Sequence, residues 1–223
     1  MPRVLIMLVI AAWAACGESA VAPDAPVLEC PTTGRYFELQ PGTRWTYRVV
    51  DGGRTTTKAQ VVGAIEDVGG AKAGVRAHRL MTTRSGGEVV SWQEDRGDAI
   101  VRHRELDMAG DRHTDEIYAP HRTRIDETGA HTVVGATWTE SYTETVTDAA
   151  GTTGTPKTET WLVEAVDEVV VVPAGAFCTL RVRRTSTSDG GSGSVKTYWF
   201  ARGVGKVKEA ATNQVEELLE RVP

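Results

Sequence analysis

The chain has 223 residues and a formal net charge of −5, its 25 basic and 30 acidic side chains interleaved along the sequence. No basic stripe with interleaved aromatics appears, which argues against nucleic acid as a partner. No complete catalytic, metal or nucleotide motif is present, so the sequence calls for no cofactor and gives no ground for an enzyme.

The first element in chain order is a leader. Arg3 supplies a positive start, and residues 4–12 form an unbroken apolar run. A permanent membrane helix needs roughly 20 apolar residues, so this shorter run suits a secretory signal peptide over residues 1–15. Ala14 and Ala15 precede Cys16 and Gly17, and small residues before a cysteine resemble the lipobox of bacterial lipoproteins. Trp13 stands where that pattern usually has Leu. The resemblance implies a lipidated Cys16, with ordinary cleavage near Ala15 as the alternative. Two or three acyl chains anchor a chain to the membrane firmly, where one binds only marginally. Gly17 is not the Asp that marks inner-membrane retention in lipoprotein sorting, which points to the periplasmic face of the outer membrane. Residues 16–34 then read as the anchor and a flexible linker, small, polar and Pro-containing. A linker of this length holds a domain roughly 20–25 Å from its anchor.

Residues 35–223 read as a single β domain. Val and Thr, suited to a pleated surface, dominate it. Turn clusters recur at Asp51-Gly52-Gly53, Gly69-Gly70, Ser85-Gly86-Gly87, residues 151–154 and Asp189-Gly190-Gly191. Between them lie alternating runs. Trp45, Tyr47 and Val49 share one face of the first strand, with Arg44, Thr46 and Arg48 on the other. Trp138, Tyr142 and Val146 oppose a series of Thr and Ser over residues 137–146, and Glu159, Trp161, Val163 and Ala165 repeat the pattern, as do Val195, Thr197 and Trp199. Such alternation is expected of antiparallel strands with one wet face. Residues 213–222 are ambiguous: Val215, Leu218, Leu219 and Val222 fit one side of a short helix, but a strand is favoured because the segment follows another strand after one short turn.

Cys30 and Cys178 remain once Cys16 is set aside. An even remainder in an oxidising compartment favours a disulfide. Closing so long a loop contributes up to about 5 kcal/mol in the chain-entropy model. Two unpaired, buried small hydrophobes are the other reading.

Two stretches carry a resemblance. Residues 36–47 (YFELQPGTRWTY) resemble the opening of a group of bacterial lipoproteins sometimes labelled TapB-like. Val172-Pro173-Ala174-Gly175-Ala176-Phe177, followed by residues 198–208 (YWFARGVGKVK), looks like the closing half of the same group. Gly135-Ala136-Thr137-Trp138 echoes the opening. The group is similar in architecture to the LolA/LolB-type lipoprotein carriers, which implies a curved antiparallel sheet forming a half-barrel or open barrel with few or no helices. The group has no common chemistry to carry over, and these glycines and aromatics also read as fold-making residues.

Histidines and carboxylates were the remaining candidates for chemistry. His103, His113, His121 and His131 lie near Asp107, Asp111, Asp115 and Glu116, while His78 stands apart. None has metal-ligand spacing, and they read as solvated loop residues. Glu140 and Glu144 share the tryptophan face of one strand, where an inward charge must be paired or kept near solvent; they read as lying near an open rim or paired with arginines on neighbouring strands, or as an acid/base pair. Ser192 sits in a flexible hairpin tip. The aromatics Trp45, Tyr47, Trp92, Trp138, Tyr142, Trp161 and Trp199, with Tyr198, form the largest constellation. Two readings stand: a packed core, or a concave apolar cavity open to an acyl chain or other hydrophobic ligand. The expectation is a cell-envelope lipoprotein with a non-enzymatic binding or scaffolding role, membrane-bound through its lipid and possessing either a hydrophobic ligand or an envelope protein partner. A structural or adhesion module and, third, an envelope hydrolase are the alternatives.

Overall fold

A computed structural model describes residues 28–188, 191 and 193–223. The leader, Cys16, most of the linker, and Ser192 with part of its hairpin tip lie outside the described residues. Twelve strands account for nearly all of the rest. The first six are β1 (Arg44–Asp51), β2 (Arg54–Asp67), β3 (Arg76–Arg84), β4 (Gly87–Asp95), β5 (Ala99–Ala109) and β6 (Arg112–Asp126). The others are β7 (Thr137–Asp148), β8 (Gly151–Val172), β9 (Gly175–Ser188), β10 (Gly193–Ala201), β11 (Gly205–Ala210) and β12 (Gln214–Val222). Among the described residues the only helical turns are Gly70–Lys72 and Gly129–His131.

Each strand pairs antiparallel with its sequence neighbours, and β1 also pairs with β12, from Arg44↔Val222 to Asp51↔Gln214. The all-β antiparallel reading therefore stands, but the half-barrel is corrected to a closed barrel. Residues 214–222 are the physical reason. As a strand they cover the free edge of β1 and close the sheet on itself. Register shifts at Thr46/Tyr47, Val62/Ile65, Trp92/Gln93, Ala165/Glu168 and Trp199/Phe200 supply the local bends that closure needs.

The barrel has a closed end and an open one. At the closed end, Trp45, Val62, Leu80, Ile100, Ile125, Trp161, Val163, Leu180, Phe200 and Leu218 pack into one apolar cluster. The segment before β1 is its stopper: Tyr36, Phe37 and Leu39 are buried in the same cluster. Polar contacts fix that segment. The N–H groups of Tyr36 and Phe37 donate to the Glu127 carboxylate at 2.5 and 3.2 Å, and Gly203 N–H donates to Arg35 O at 2.8 Å. Arg35 pairs with Asp95 at 2.7 Å. A disulfide joins Cys30 to Cys178, 148 residues apart, and ties the stopper to β9. Gly205 has φ +100°, and a Cβ there would sit 3.1 Å from both Phe37 and the Trp45 ring nitrogen, so only glycine fits under the stopper.

One seam is incomplete. β6 pairs with β7 only from Asp115↔Thr147 to Ala119↔Thr143, and Pro120 has no N–H to carry the ladder on. Below it the Glu140 carboxylate substitutes, accepting from Thr123 N–H at 3.3 Å and its hydroxyl at 2.5 Å. On the outer wall of β7 and β8, hydroxyls pair across the strands, Thr139 with Thr160 at 3.3 Å and Ser141 with Thr158 at 3.2 Å.

Candidate anion-binding cavity

The open end holds a cavity of about 630 Å³. Inward positions follow from register, because directly paired residues in an antiparallel ladder point to the same side. Tyr47↔Lys58 and Trp45↔Gln60 set the inward face of β2, and Trp161↔Arg184 and Arg184↔Lys196 carry it across β9 and β10. The same alternation that buries tryptophans at the closed end thus points charges inward one layer higher. β2 supplies Arg54 and Lys58, β3 Arg84, β5 Arg102, and β6 Arg112, Arg122 and Arg124. Arg184, Lys196 and Lys206 come from β9, β10 and β11. Against these ten basic residues the lining holds four acids, Asp51, Glu105, Glu209 and Glu216. Thr56, Gln60, Thr82 and Gln214 add neutral polar groups, and Tyr198 is the sole aromatic.

The charges are organised in pairs that share partners. Lys206 bonds Glu209 at 2.5 Å and Glu216 at 2.8 Å, Lys196 reaches Glu209 at 2.7 Å, and Lys58 pairs with Glu216. Burial alone would lower the pKa of Lys206, but Glu209 and Glu216 outweigh it and hold the ammonium firmly protonated. Lys58 goes the other way: burial first, and then the neighbouring Lys206, push its pKa from 10.5 down to about 8. Burial raises the pKa of Glu209, yet the three lysines overcome it and keep the carboxyl well below its usual range. Glu159 is fully buried just beneath the cavity; it pairs with Arg122 at 2.8 Å and Arg184 at 3.5 Å, and accepts from the Tyr142 hydroxyl at 3.0 Å. Arg102 pairs with Glu105. Arg124 differs from all of these. It lies deep in the barrel facing the cavity, and no described residue gives it an ion pair or a hydrogen bond. Burial and then Arg102 lower its pKa, but a guanidinium stays charged in proteins.

The predicted aromatic constellation is divided. Trp45 and Trp161 are about 1% exposed and close-packed, Trp45 donating to Val204 O at 2.7 Å and Trp161 to Glu140 at 3.1 Å. Trp138 stacks between Trp161 and His131, with ring centroids 5.8 and 3.9 Å away. Tyr47 donates to Lys206 O at 3.0 Å and separates the apolar cluster from the lysines, while Tyr142 holds Glu159. Trp92 and Trp199 face outward. Trp92 packs with Val68, Ala77 and Val90 under the β2–β3 turn and donates to Glu66 at 2.8 Å. Trp199 donates to Glu168 at 3.1 Å with Lys208 over its ring. On β10 the inward residues are Tyr198 and Phe200, so the face carrying Thr197 and Trp199 is the outer one. None of the seven lines the cavity.

Of the other candidates, His103 and His121 meet edge to face with ring centroids 6.2 Å apart, His103 being buried on β5 and not in a solvated loop. His103 meets Glu94 at 2.9 Å, His131 meets Asp126 at 2.7 Å, and His121 lies 2.8 Å from Arg96. Among the described residues no three His, Cys, Asp or Glu side chains converge as a metal site would require. Glu144 pairs with Lys157 at 3.3 Å, a lysine rather than the arginine expected. Sequence reasoning missed the basic lining itself. Its available signal was Arg122-x-Arg124 on alternate positions of a strand, together with Lys58 directly opposite Tyr47.

No family model matches the chain, and neither does any curated protein. Two solved structures align with the chain. A proposed exported protein with a YmcC-like fold from Bacteroides fragilis aligns with a TM-score of 0.51 at 11% identity, over 86% of this chain and 100% of that one. A proposed lipoprotein from Parabacteroides distasonis aligns with a TM-score of 0.45 at 12% identity, over 87% and 100%. The first likeness is one of fold alone.

Proposed function

We propose that this protein is a non-enzymatic binding protein of the cell envelope whose barrel takes up a polar, negatively charged ligand through its open end. One observation carries the reading: ten basic and four acidic residues surround the cavity of a chain whose overall charge is −5. Concentrating cations in a low-dielectric recess, against the net charge of the whole molecule, focuses a positive potential there. A cavity of about 630 Å³ is within the usual range for small-molecule sites. An acyl chain is the less suitable guest, since it would strip water from charged groups without replacing their hydrogen bonds. Its expected lining, Trp45 and Trp161, is already committed to the closed end. The leader and the lipobox-like Cys16 support lipid anchorage, with the outer membrane's periplasmic face as the proposed address.

A second reading, docking of an envelope protein, is favoured by the exposed Val133, Val134, Val169 and Val171 on the β6–β7 loop and the β8 end. Native mass spectrometry of the full chain extracted from membranes in mild detergent separates the readings. A co-purifying small anion, released by high salt, supports the cavity. A co-purifying protein with an empty barrel supports docking, and an extracted fatty acid or lipid in the barrel contradicts the anionic-ligand reading.

A further inference from the structure

Resting on the anion-binding reading, we infer that the inner end of the cavity is a phosphoryl-binding site, with Arg124 as its anchor and Arg102, Arg122 and Arg184 around it.

Charge accounting gives the valence. Arg122 and Arg184 share Glu159, and three lysines share Glu209 and Glu216, so each group carries one uncompensated positive charge. Arg102 is matched by Glu105, and Arg124 by nothing among the described residues. These inward groups therefore carry about three uncompensated positive charges, offset in part by the buried Glu116 beside Arg102 and Glu140 beside Glu159, and the excess favours a dianion over a single carboxylate.

Geometry gives the shape. Arg102, Arg122, Arg124 and Arg184 all line the cavity, and Arg124 makes no hydrogen bond or ion pair among the described residues, so its guanidinium is left for a ligand to complete. Aromatic rings set the planes of two neighbours: Arg122 lies over Tyr118 and Tyr142 at 5.7 and 5.9 Å, and Arg184 over Tyr198 and Trp161 at 5.5 and 5.9 Å. Stacking covers guanidinium faces and leaves their N–H edges as the donors. These donors come from β5, β6 and β9, hence from several directions. A planar carboxylate satisfies one such fork, whereas a tetrahedral dianion offers oxygens to several at once. The space above is bounded by Gln60, Thr82 and Thr56, which suits a hydroxylated moiety attached to the phosphoryl group. Free phosphate and a phosphomonoester present the same chemistry to the arginines, and the titration distinguishes them.

The test is isothermal titration of the full chain in detergent with inorganic phosphate, sulfate, glucose 6-phosphate, glucose and citrate, alongside Arg124→Gln and Arg124→Met. Glucose 6-phosphate or phosphate should bind at least tenfold more tightly than glucose or citrate, and both variants should lose at least tenfold. Equal affinity for phosphate and glucose 6-phosphate would assign the site to the free ion; a clear preference for the ester would assign it to a phosphorylated polar molecule. Both variants should also melt at a higher temperature than the empty wild type, because they remove an unpaired buried cation. A lower melting temperature would mark Arg124 as merely structural and overturn its anchoring role. Citrate binding while every phosphoryl and sulfate probe fails would overturn the phosphoryl inference and leave the anion-binding reading intact. Failure of all anions would end both.

Discussion

The two ends of the barrel are built on one register and to opposite purposes. At the closed end the inward positions are Trp45, Leu80, Ile100, Trp161 and Leu180, all nearly solvent-free and mutually packed. Towards the open end, β2, β5, β9 and β11 aim Lys58, Arg102, Arg184 and Lys206 into the cavity. Apolar burial of this kind stabilises by about 1.5–3 kcal/mol per large side chain. Buried ion pairs contribute little net stability compared with hydrophobic residues of equal volume. A barrel needing only to fold would have continued its apolar filling upward. The change of lining along the barrel separates a close-packed apolar end from an open, charged one.

That contrast makes its own predictions. The largest effect should follow Trp45→Ala at the closed end. Losing the indole and its bond to Val204 should cost about 3–5 kcal/mol in urea unfolding, with ligand affinity unchanged in whatever fraction remains folded. Glu159→Gln tests the boundary between the ends. It leaves Arg122 and Arg184 without a full counter-charge, and should cost up to about 3–5 kcal/mol while strengthening phosphate binding; weaker binding would contradict the accounting. Cys178→Ser frees the stopper from β9 and should cost about 2–5 kcal/mol, measured by the same unfolding curves.

The pH dependence should separate the ends further. Glu209 and Glu216 titrate below their ordinary 4.5 in the folded protein. Their contribution to stability is therefore complete above that pH and is lost as pH falls through the folded values. Lys58 adds a second rise at alkaline pH. Between about 8 and 10.5 the unfolded chain holds a proton that the folded Lys58 has released, so this group makes stability rise with pH across that window. Anion affinity should fall over the same window as the cavity loses a charge, a divergence that calorimetry and thermal melts would detect together. The smallest effect is reserved for the rim: Arg54→Gln should move unfolding stability by no more than about 0.5 kcal/mol.

Much of the closed end was legible in the sequence. The alternation of Trp45, Tyr47 and Val49 against Arg44, Thr46 and Arg48 gives their faces correctly, because apolar-in and polar-out are distinguishable. Glu140 and Glu144 stood out as charges on a tryptophan face, and each has a specific partner, Thr123 and Lys157. Closure was not legible, since residues 214–222 fit a helix nearly as well as a strand and nothing local says that β12 meets β1. Nor was the charged layer. Lys58 inside and Arg48 outside look alike in a row of letters, because alternation identifies an inward face only where it is apolar. Bulges compound this: the shifts around Ile100 to Arg104 change which residues of β5 face in. Trp92 and Trp199 misled for a complementary reason, being large aromatics whose outer-wall surface is covered by Arg104 and Lys208.

The most direct test of the account is a crystal structure of the protein grown with glucose 6-phosphate. It predicts a tetrahedral feature within hydrogen-bonding distance of Arg124 and at least one of Arg102, Arg122 and Arg184, with the sugar towards the mouth of the barrel. Water alone in that space, or a ligand seated against Trp45 and Trp161 instead, would contradict the division of the barrel into a stabilising floor and an anion-binding chamber.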